Sequence, residues 1–173
     1  MRVIGGELRS RRIKSVRGLD VRPTPDRLRE ALFNVLAPRI AGTIFLDCYA
    51  GSGSVGIEAL SRGAARAIFV ERNRAALEVL RENLRSLGLE DRAIVARALG
   101  NEHSADIAFI DPPYAFEGEY RSALEIISAT RCELAIAQHT TRFTPAEVYG
   151  VLKKKRILRQ GDNCLSFFER SAT

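Results

Sequence analysis

The 173-residue sequence contains no tryptophan, one methionine, two histidines and three cysteines. Cys48, Cys132 and Cys164 lie far apart and form no CxxC pair. This spacing predicts neither a disulfide framework nor a zinc site. His103 and His139 are equally isolated, so we expect no metal ligands and no metal cofactor.

Long apolar runs are also missing. No stretch of 18 or more apolar residues occurs, which argues against a membrane span. The opening MRVIGGELRS lacks the apolar core of a secretory signal. We therefore expect a cytoplasmic protein without a membrane partner. Nothing in the pattern implies an obligate protein partner, so a monomer is the expectation.

Basic residues exceed acidic ones, 27 to 21, and the excess is concentrated near the N-terminus. Residues 1–30 contain nine basic side chains and four acidic ones. This local charge favours either docking onto a polyanion or a solvated charged arm. A second basic cluster, residues 153–156, is typical of an edge strand protected by lysines or of an RNA contact.

The hydrophobic pattern predicts a small N-terminal hairpin over residues 2–14 and a loop over 15–23. Thr24 is expected to cap the next helix, with Pro25 at its first position and Asp26 complementing the helix dipole. Short apolar strands then alternate with helices. The predicted strands cover 43–48, 67–71, 93–96, 106–110, 133–137, 148–158 and 163–169, and the later helices cover 53–61, 73–87 and 119–128.

This alternation predicts an α/β fold with a mainly parallel sheet covered on both faces and an antiparallel C-terminal edge hairpin. Residues 97–105 are too few for a helical crossover, so a loop or a single turn is expected there. We expect two parts, a basic N-terminal extension over 1–23 and a catalytic domain over 24–173.

A glycine-rich motif, DCYAGSGSVG, follows the first strand of this pattern. Glycines such as Gly51 and Gly53 let the backbone approach a ligand closely. Glu71, at the end of the next strand, can accept hydrogen bonds from two ribose hydroxyls. Taken alone, this combination fits a dinucleotide dehydrogenase as well as other nucleoside cofactors.

Asp47 distinguishes the two cofactor classes. A carboxylate at that strand end would repel a pyrophosphate, whereas it suits the ammonium and sulfonium of S-adenosylmethionine. The alternative is that Asp47 only caps the following helix.

The second motif is Asp111-Pro112-Pro113-Tyr114, directly after the apolar run IAFI. Consecutive prolines enforce extended geometry and leave the Pro112 carbonyl free to accept a hydrogen bond. Two acceptors on an exocyclic amine favour a tetrahedral nitrogen with an available lone pair. Asp111 can stabilise the positive charge that develops there, and Tyr114 can stack on a base. The alternative is that the motif is only an Asp-Pro turn after a strand, without a role in binding.

In these motifs the chain resembles the RsmD-type family of bacterial methyltransferases, which act on guanine N2 in small-subunit (16S) ribosomal RNA. The resemblance lies in MRVIGGELRSRRI, RPTPDRLREALFNVL, LDCYAGSGSVGIEALSRGA, FVERN and DPPY, in the family's order. It implies a Rossmann-like class I methyltransferase fold, S-adenosylmethionine as the donor, and ribosomal RNA within a small-subunit particle as the partner.

The resemblance also implies roles for individual residues. The cofactor would be held by Asp47, Gly51, Gly53 and Glu71, and the target base by Asp111, Pro112 and Tyr114. Arg22, Pro23 and Thr24 would border the active site, and Arg9, Arg11 and Arg12 would meet RNA phosphates.

The chain departs from the family pattern at two places. No acidic residue follows the third strand until Glu102, so backbone groups or Asn101 are candidates for adenine recognition. Gln138 stands where relatives often carry glutamate. A DNA adenine-N6 methyltransferase and a non-enzymatic ribosome assembly factor remain alternatives, although the chain has no room for the recognition domain usual in the former.

Overall fold

The computed structural model describes residues 1–18, 24–113 and 116–172. Its sheet consists of β1 (Ile44–Asp47), β2 (Arg66–Val70), β3 (Ala93–Ala96), β4 (Ile107–Ile110), β5 (Leu134–Thr140), β6 (Val148–Tyr149), β7 (Leu152–Gln160) and β8 (Asn163–Arg170). The helices are α1 (Asp26–Leu36), α2 (Ser54–Ser61), α3 (Arg74–Ser86) and α4 (Glu117–Ser128), with a short 3-10 turn at Glu90–Arg92. No helix in these ranges is both long and apolar enough to cross a bilayer.

The eight strands form one sheet in the order β3-β2-β1-β4-β5-β8-β7-β6. β1 to β5 pair in parallel, whereas β8 runs antiparallel between β5 and β7. Apolar residues of α1, α2 and α3 pack on one face, and those of α4 pack on the other. The predicted α/β sheet with an antiparallel C-terminal edge is thus confirmed.

Local signals placed several element ends correctly. The Asn73 side chain caps α3 by accepting a hydrogen bond from the Ala76 amide at 3.0 Å. Gly88 follows the end of α3 with φ of 67°. No helix forms between Arg97 and Ala105, as the length of that connection predicted.

Two sequence predictions are wrong. Thr24 does not cap α1: Pro25 is the capping residue, no side chain caps the helix, and the Thr24 hydroxyl donates to Gln138 instead. The predicted strand 148–158 is two strands, because Gly150 takes a positive φ of 55° and turns the chain between β6 and β7.

The N-terminal segment, residues 1–14, folds back on itself and packs against α2. Arg2 and Arg12 form an antiparallel bridge, as the predicted small hairpin requires, and Val3 and Ile13 are each 2% exposed in the core. Gly6, with φ of 77°, lies so close to helix α2 that an added Cβ would meet the Ser61 carbonyl oxygen at 1.9 Å. The basic segment is therefore part of the packed structure.

Candidate active site

A cavity of about 550 Å³ opens at the carboxyl ends of the parallel strands. The segments that line it follow β1, β2, β3 and β4, where ligands bind in open α/β sheets. They bring together Asp47, Gly51, Glu71, Asp111 and Pro112 from the two predicted motifs. A single site thus contains most of the predicted cofactor and target-base residues.

Asp47 is buried at the end of β1, only 1% exposed. Its Oδ2 accepts a hydrogen bond from the Gly56 amide of α2 at 3.1 Å. Burial raises the pKa of Asp47 to about 7, against the hydrogen bond from Gly56, and the charge of Glu71 raises it further. Asp47 therefore binds the start of α2 and also lines the cavity.

Glu71 follows β2 and is half-buried. Its Oε2 accepts from the Gly51 amide and its Oε1 from the Asn73 amide, each at 2.8 Å. Each carboxylate oxygen has a further lone pair available. The same side chain thus fixes the glycine-rich loop and can accept hydrogen bonds from hydroxyl groups in the cavity.

Gly53 shows why the loop after β1 needs glycine. Its φ is 87°, a left-handed conformation that side chains disfavour. A Cβ there would also lie 2.4 Å from Leu80 Cδ1. Gly51, with φ of 56°, is the second positive-φ residue of the loop and lines the cavity itself.

Asp111 and Pro112 also line the cavity, directly after β4, the strand next to β1. Burial raises the pKa of Asp111 to about 8, and the nearby charge of Asp47 adds to this. Pro112 is buried, and no described residue donates a hydrogen bond to its carbonyl oxygen. Tyr114, the proposed stacking residue, lies outside the described residues.

The donor set fits S-adenosylmethionine. Acidic side chains in the cavity lining, Asp47 among them, favour a cationic ligand over a pyrophosphate, and a bound cation stabilises the charged form of the buried Asp47. Glu71 lies on the other side of the glycine-rich loop, where an acceptor pair suits ribose hydroxyls. Asp47, Glu71 and the loop between them would therefore hold the cofactor.

Beyond β3 the cavity wall is formed by Arg97, Ala98 and Leu99, together with Ile126 of α4. Arg97 donates to the Arg72 carbonyl at 3.3 Å. Asn101, the side chain suggested for adenine recognition, is exposed and is not part of the lining. Ala98 and Leu99 thus give this part of the cavity an apolar lining, which suits the face of a flat ring.

Sequence reasoning missed several cavity residues. The N-terminal segment and the two residues after it also reach the cavity, because the segment folds over α2. They line it with Met1, Ser15 and Val16, and Thr24 is a further lining residue. Tyr49 was also missed: its hydroxyl donates to Glu119 Oε2 at 2.8 Å and links the glycine-rich loop to α4. These contacts join residues far apart in sequence, so no local pattern indicates them.

The predicted RNA-binding arginines lie outside the cavity. Arg9, Arg11 and Arg12 are exposed on the N-terminal segment. Arg11 donates to the Ser86 carbonyl at 3.2 Å. Arg22 lies outside the described residues.

The chain is similar in sequence to known proteins. A family model described as conserved hypothetical protein 95 matches residues 1–169. The chain is 40% identical over 136 residues, 73% of each protein, to a putative rRNA methyltransferase, YlbH, of Bacillus subtilis. It is 43% identical over 121 residues to ribosomal RNA small subunit methyltransferase D of Escherichia coli K12, covering 66% of this chain and 60% of that protein.

A solved structure extends the similarity to the whole chain. A putative methyltransferase from Escherichia coli, yhhF, superposes with a TM-score of 0.83 at 34% identity and covers 100% of this chain and 99% of its own. The predicted Rossmann-like class I methyltransferase fold is thereby confirmed. The chain belongs to the conserved hypothetical protein 95 family, that of the RsmD-type rRNA methyltransferases.

Proposed function

We propose that the protein transfers a methyl group from S-adenosylmethionine to the exocyclic N2 amine of a guanine in small-subunit ribosomal RNA. The observation that carries this proposal is the shared cavity, whose lining includes Asp47 and Glu71 as well as Asp111 and Pro112. A cationic methyl donor and an amine acceptor can both be held there. Membership of the RsmD-type family supports rRNA as the acceptor.

Asp111 and Pro112 would act on the amine. The Asp111 carboxylate and the Pro112 carbonyl each accept one N–H bond, which favours a tetrahedral nitrogen with its lone pair towards the donor. As the nitrogen gains positive charge, the Asp111 carboxylate stabilises it. When bound, S-adenosylmethionine supplies an activated methyl group on a sulfonium.

Positioning accounts for the rest of the rate enhancement. The amine and the methyl group must meet in line, so the residues that hold the base and those that hold the cofactor must keep a fixed separation. The Tyr49–Glu119 hydrogen bond links the glycine-rich loop to α4, the helix that follows Asp111 in the chain. We propose that this contact helps to hold the two substrates in register.

The basic N-terminal segment is the proposed RNA-binding part. Arg9, Arg11 and Arg12 are exposed on the segment that also lines the cavity through Met1. Exposed cations on this segment suit the phosphates of an RNA that carries the target base. We therefore propose that residues 1–23 form the RNA-facing extension and that residues 24–173 form the catalytic domain.

Labelled S-adenosylmethionine tests the proposal with small ribosomal subunits that lack their methylations, followed by nuclease digestion and nucleoside analysis. We expect labelled N2-methylguanosine. Label in N6-methyladenosine instead, or binding of the subunit without label, overturns the guanine assignment. The second outcome would indicate an assembly role.

A further inference from the structure

Gln138 lies within β5, beside Asp111. It follows Ala137, which pairs with Ile110, the residue before Asp111, in the parallel β4–β5 ladder. The Tyr120 hydroxyl donates to the main-chain carbonyl of Gln138 at 2.6 Å, and the Gln138 side chain is fully buried. The backbone is therefore fixed at this position, and the side-chain amide is enclosed next to the residue proposed to bind the amine.

Thr24 connects this amide to the cavity. Its side chain lines the cavity, and its hydroxyl donates to Gln138 Oε1 at 3.2 Å. Within the described ranges the Gln138 Nε2 has no hydrogen-bond partner, so the bond to Thr24 is the amide's one contact of this kind. A hydroxyl has one proton and two lone pairs. Because that proton is used, the Thr24 oxygen offers only lone pairs to a ligand.

An acceptor beside the amine site discriminates between the nucleobases. In guanine the ring nitrogen next to the amine, N1, carries a hydrogen and donates. In adenine and cytosine the corresponding ring nitrogen carries none and accepts. An oxygen that can only accept therefore binds the guanine edge and opposes the other two, since two acceptors face each other.

We propose that Thr24, oriented by Gln138, is a specificity-determining residue that selects guanine by accepting a hydrogen bond from N1–H. This inference rests on the proposed function, because it concerns the base whose amine is methylated. It assigns Gln138 a positioning role. A site built around such a bond rejects an analogue that lacks the donor, since a buried acceptor is then left unpaired.

The test compares guanine with 2-aminopurine at the mapped target position of the RNA. The analogue keeps the 2-amine but has an unprotonated N1. We expect the wild type to favour guanine by about 100-fold or more in kcat/KM. In Thr24→Val the preference should fall at least tenfold, mainly through slower guanine methylation, and Thr24→Ser should restore it.

Variants of Gln138 test the orientation of the Thr24 hydroxyl. Gln138→Glu keeps an acceptor towards Thr24 and should keep the guanine preference. Gln138→Leu frees the Thr24 proton, and the preference should fall at least tenfold while S-adenosylmethionine affinity is retained. Loss of the preference in Gln138→Glu would show that the amide donates to Thr24, which overturns the assignment.

The outcomes distinguish a failure of the proposed function from a failure of this inference alone. A wild type that methylates no guanine N2 overturns both the proposed function and this inference. A wild type that methylates guanine, with an unchanged preference in folded Thr24→Val, overturns the inference alone. Thermal unfolding and cofactor binding of each variant establish that it is folded.

Discussion

The Asp47 and Asp111 carboxylates follow neighbouring parallel strands, and the charge of Asp47 helps to raise the pKa of Asp111 to about 8. Burial is the larger cause for both groups, and the pKa of Asp47 rises to about 7. Near neutral pH Asp47 and Asp111 together therefore carry less than two full negative charges. A cationic ligand would lower both pKa values and release protons on binding.

These pKa values predict that stability falls as pH rises. The folded state keeps the Asp111 proton up to about pH 8, whereas the unfolded chain releases it near pH 4. The stabilisation is thus complete below pH 4 and is lost as pH rises through 8. Asp111→Asn removes it, so its melting temperature should fall less than that of the wild type between pH 5 and pH 8, by roughly 2–4 °C or more.

Thermal unfolding monitored by circular dichroism gives this measurement, in buffers of constant ionic strength and without cofactor. Asp162→Asn, at the exposed turn between β7 and β8, is the matched control and should follow the wild type. Parallel curves for wild type and Asp111→Asn would contradict the proposed protonation.

Asp111→Asn should also lower kcat for methyl transfer by about 100- to 1,000-fold, the usual cost of removing one stabilising group at a developing charge. The amide cannot offset positive charge on the nitrogen, although it nearly keeps the carboxylate's shape. Cofactor affinity should change less than kcat, because Asp111 is not one of the predicted cofactor residues. Single-turnover kinetics and calorimetry separate the two effects, and normal turnover would remove Asp111 from the reaction.

Much of this site could be predicted from the sequence because its residues follow strands in short motifs. Asp47, Glu71 and Asp111 each end an apolar run, and the carboxyl ends of parallel strands meet at one edge of a sheet. Once the strands were identified, their ends had to lie together. The same logic gave the parallel sheet and its antiparallel edge.

What could not be predicted depends on contacts between distant segments. Thr24 has the local pattern of a helix cap, yet the buried side-chain amide of Gln138 in β5 accepts its hydrogen bond. Glu58, in helix α2, gives no local sign that it binds backbone amides 53 and 54 residues away. Such pairs form only when the tertiary fold brings the partners together.

Glu71→Gln should weaken S-adenosylmethionine binding about tenfold or more, equivalent to about 1.4 kcal/mol. The amide has one acceptor oxygen, so it cannot serve both the Gly51 and Asn73 amides and two ribose hydroxyls. Isothermal titration calorimetry measures the affinity. Glu78→Gln, on the exposed face of α3, is the control and should bind like the wild type. Equal affinities for Glu71→Gln and the wild type would exclude Glu71 from the ribose site.

Replacing Arg9, Arg11 and Arg12 with alanine should weaken RNA binding and flatten its salt dependence. Each lost phosphate contact lowers the slope of log K against log salt by about 0.7–0.9. The three exposed side chains together should therefore lower it by roughly 2. Substitution is the sharper test than deletion, because Val3 and Ile13 of the same segment belong to the core.

The second basic cluster provides a control of equal charge. Lys153, Lys155 and Arg156 are exposed on β7, beside the two-residue edge strand β6, where lysines oppose pairing with another chain. The triple alanine variant of these residues should keep the salt slope of the wild type. If this variant lowers the slope and the N-terminal variant does not, RNA binds at the C-terminal edge instead.

Glu58→Ala should destabilise the fold by about 3–5 kcal/mol, because it removes one partner of a buried charge cluster. Glu58 is fully buried and accepts hydrogen bonds from the Ile4 and Gly5 amides at 2.9 and 2.8 Å and from Arg62 Nε at 2.8 Å. Its loss leaves the two amides unpaired and the buried Arg29 without its buried acidic partner, with only the exposed Asp26 remaining. The N-terminal segment should then detach from α2 and carry Met1 out of the cavity wall.

Urea unfolding measures this loss, and amide hydrogen exchange locates it. Exchange should accelerate first at residues 3–13, whose backbone bonds close the segment. Glu78→Ala breaks only an exposed ion pair with Arg74 and should cost less than about 1 kcal/mol. If Glu58→Ala costs no more than this control, the segment is held by the packing of Val3 and Ile13 and not by the Glu58 carboxylate.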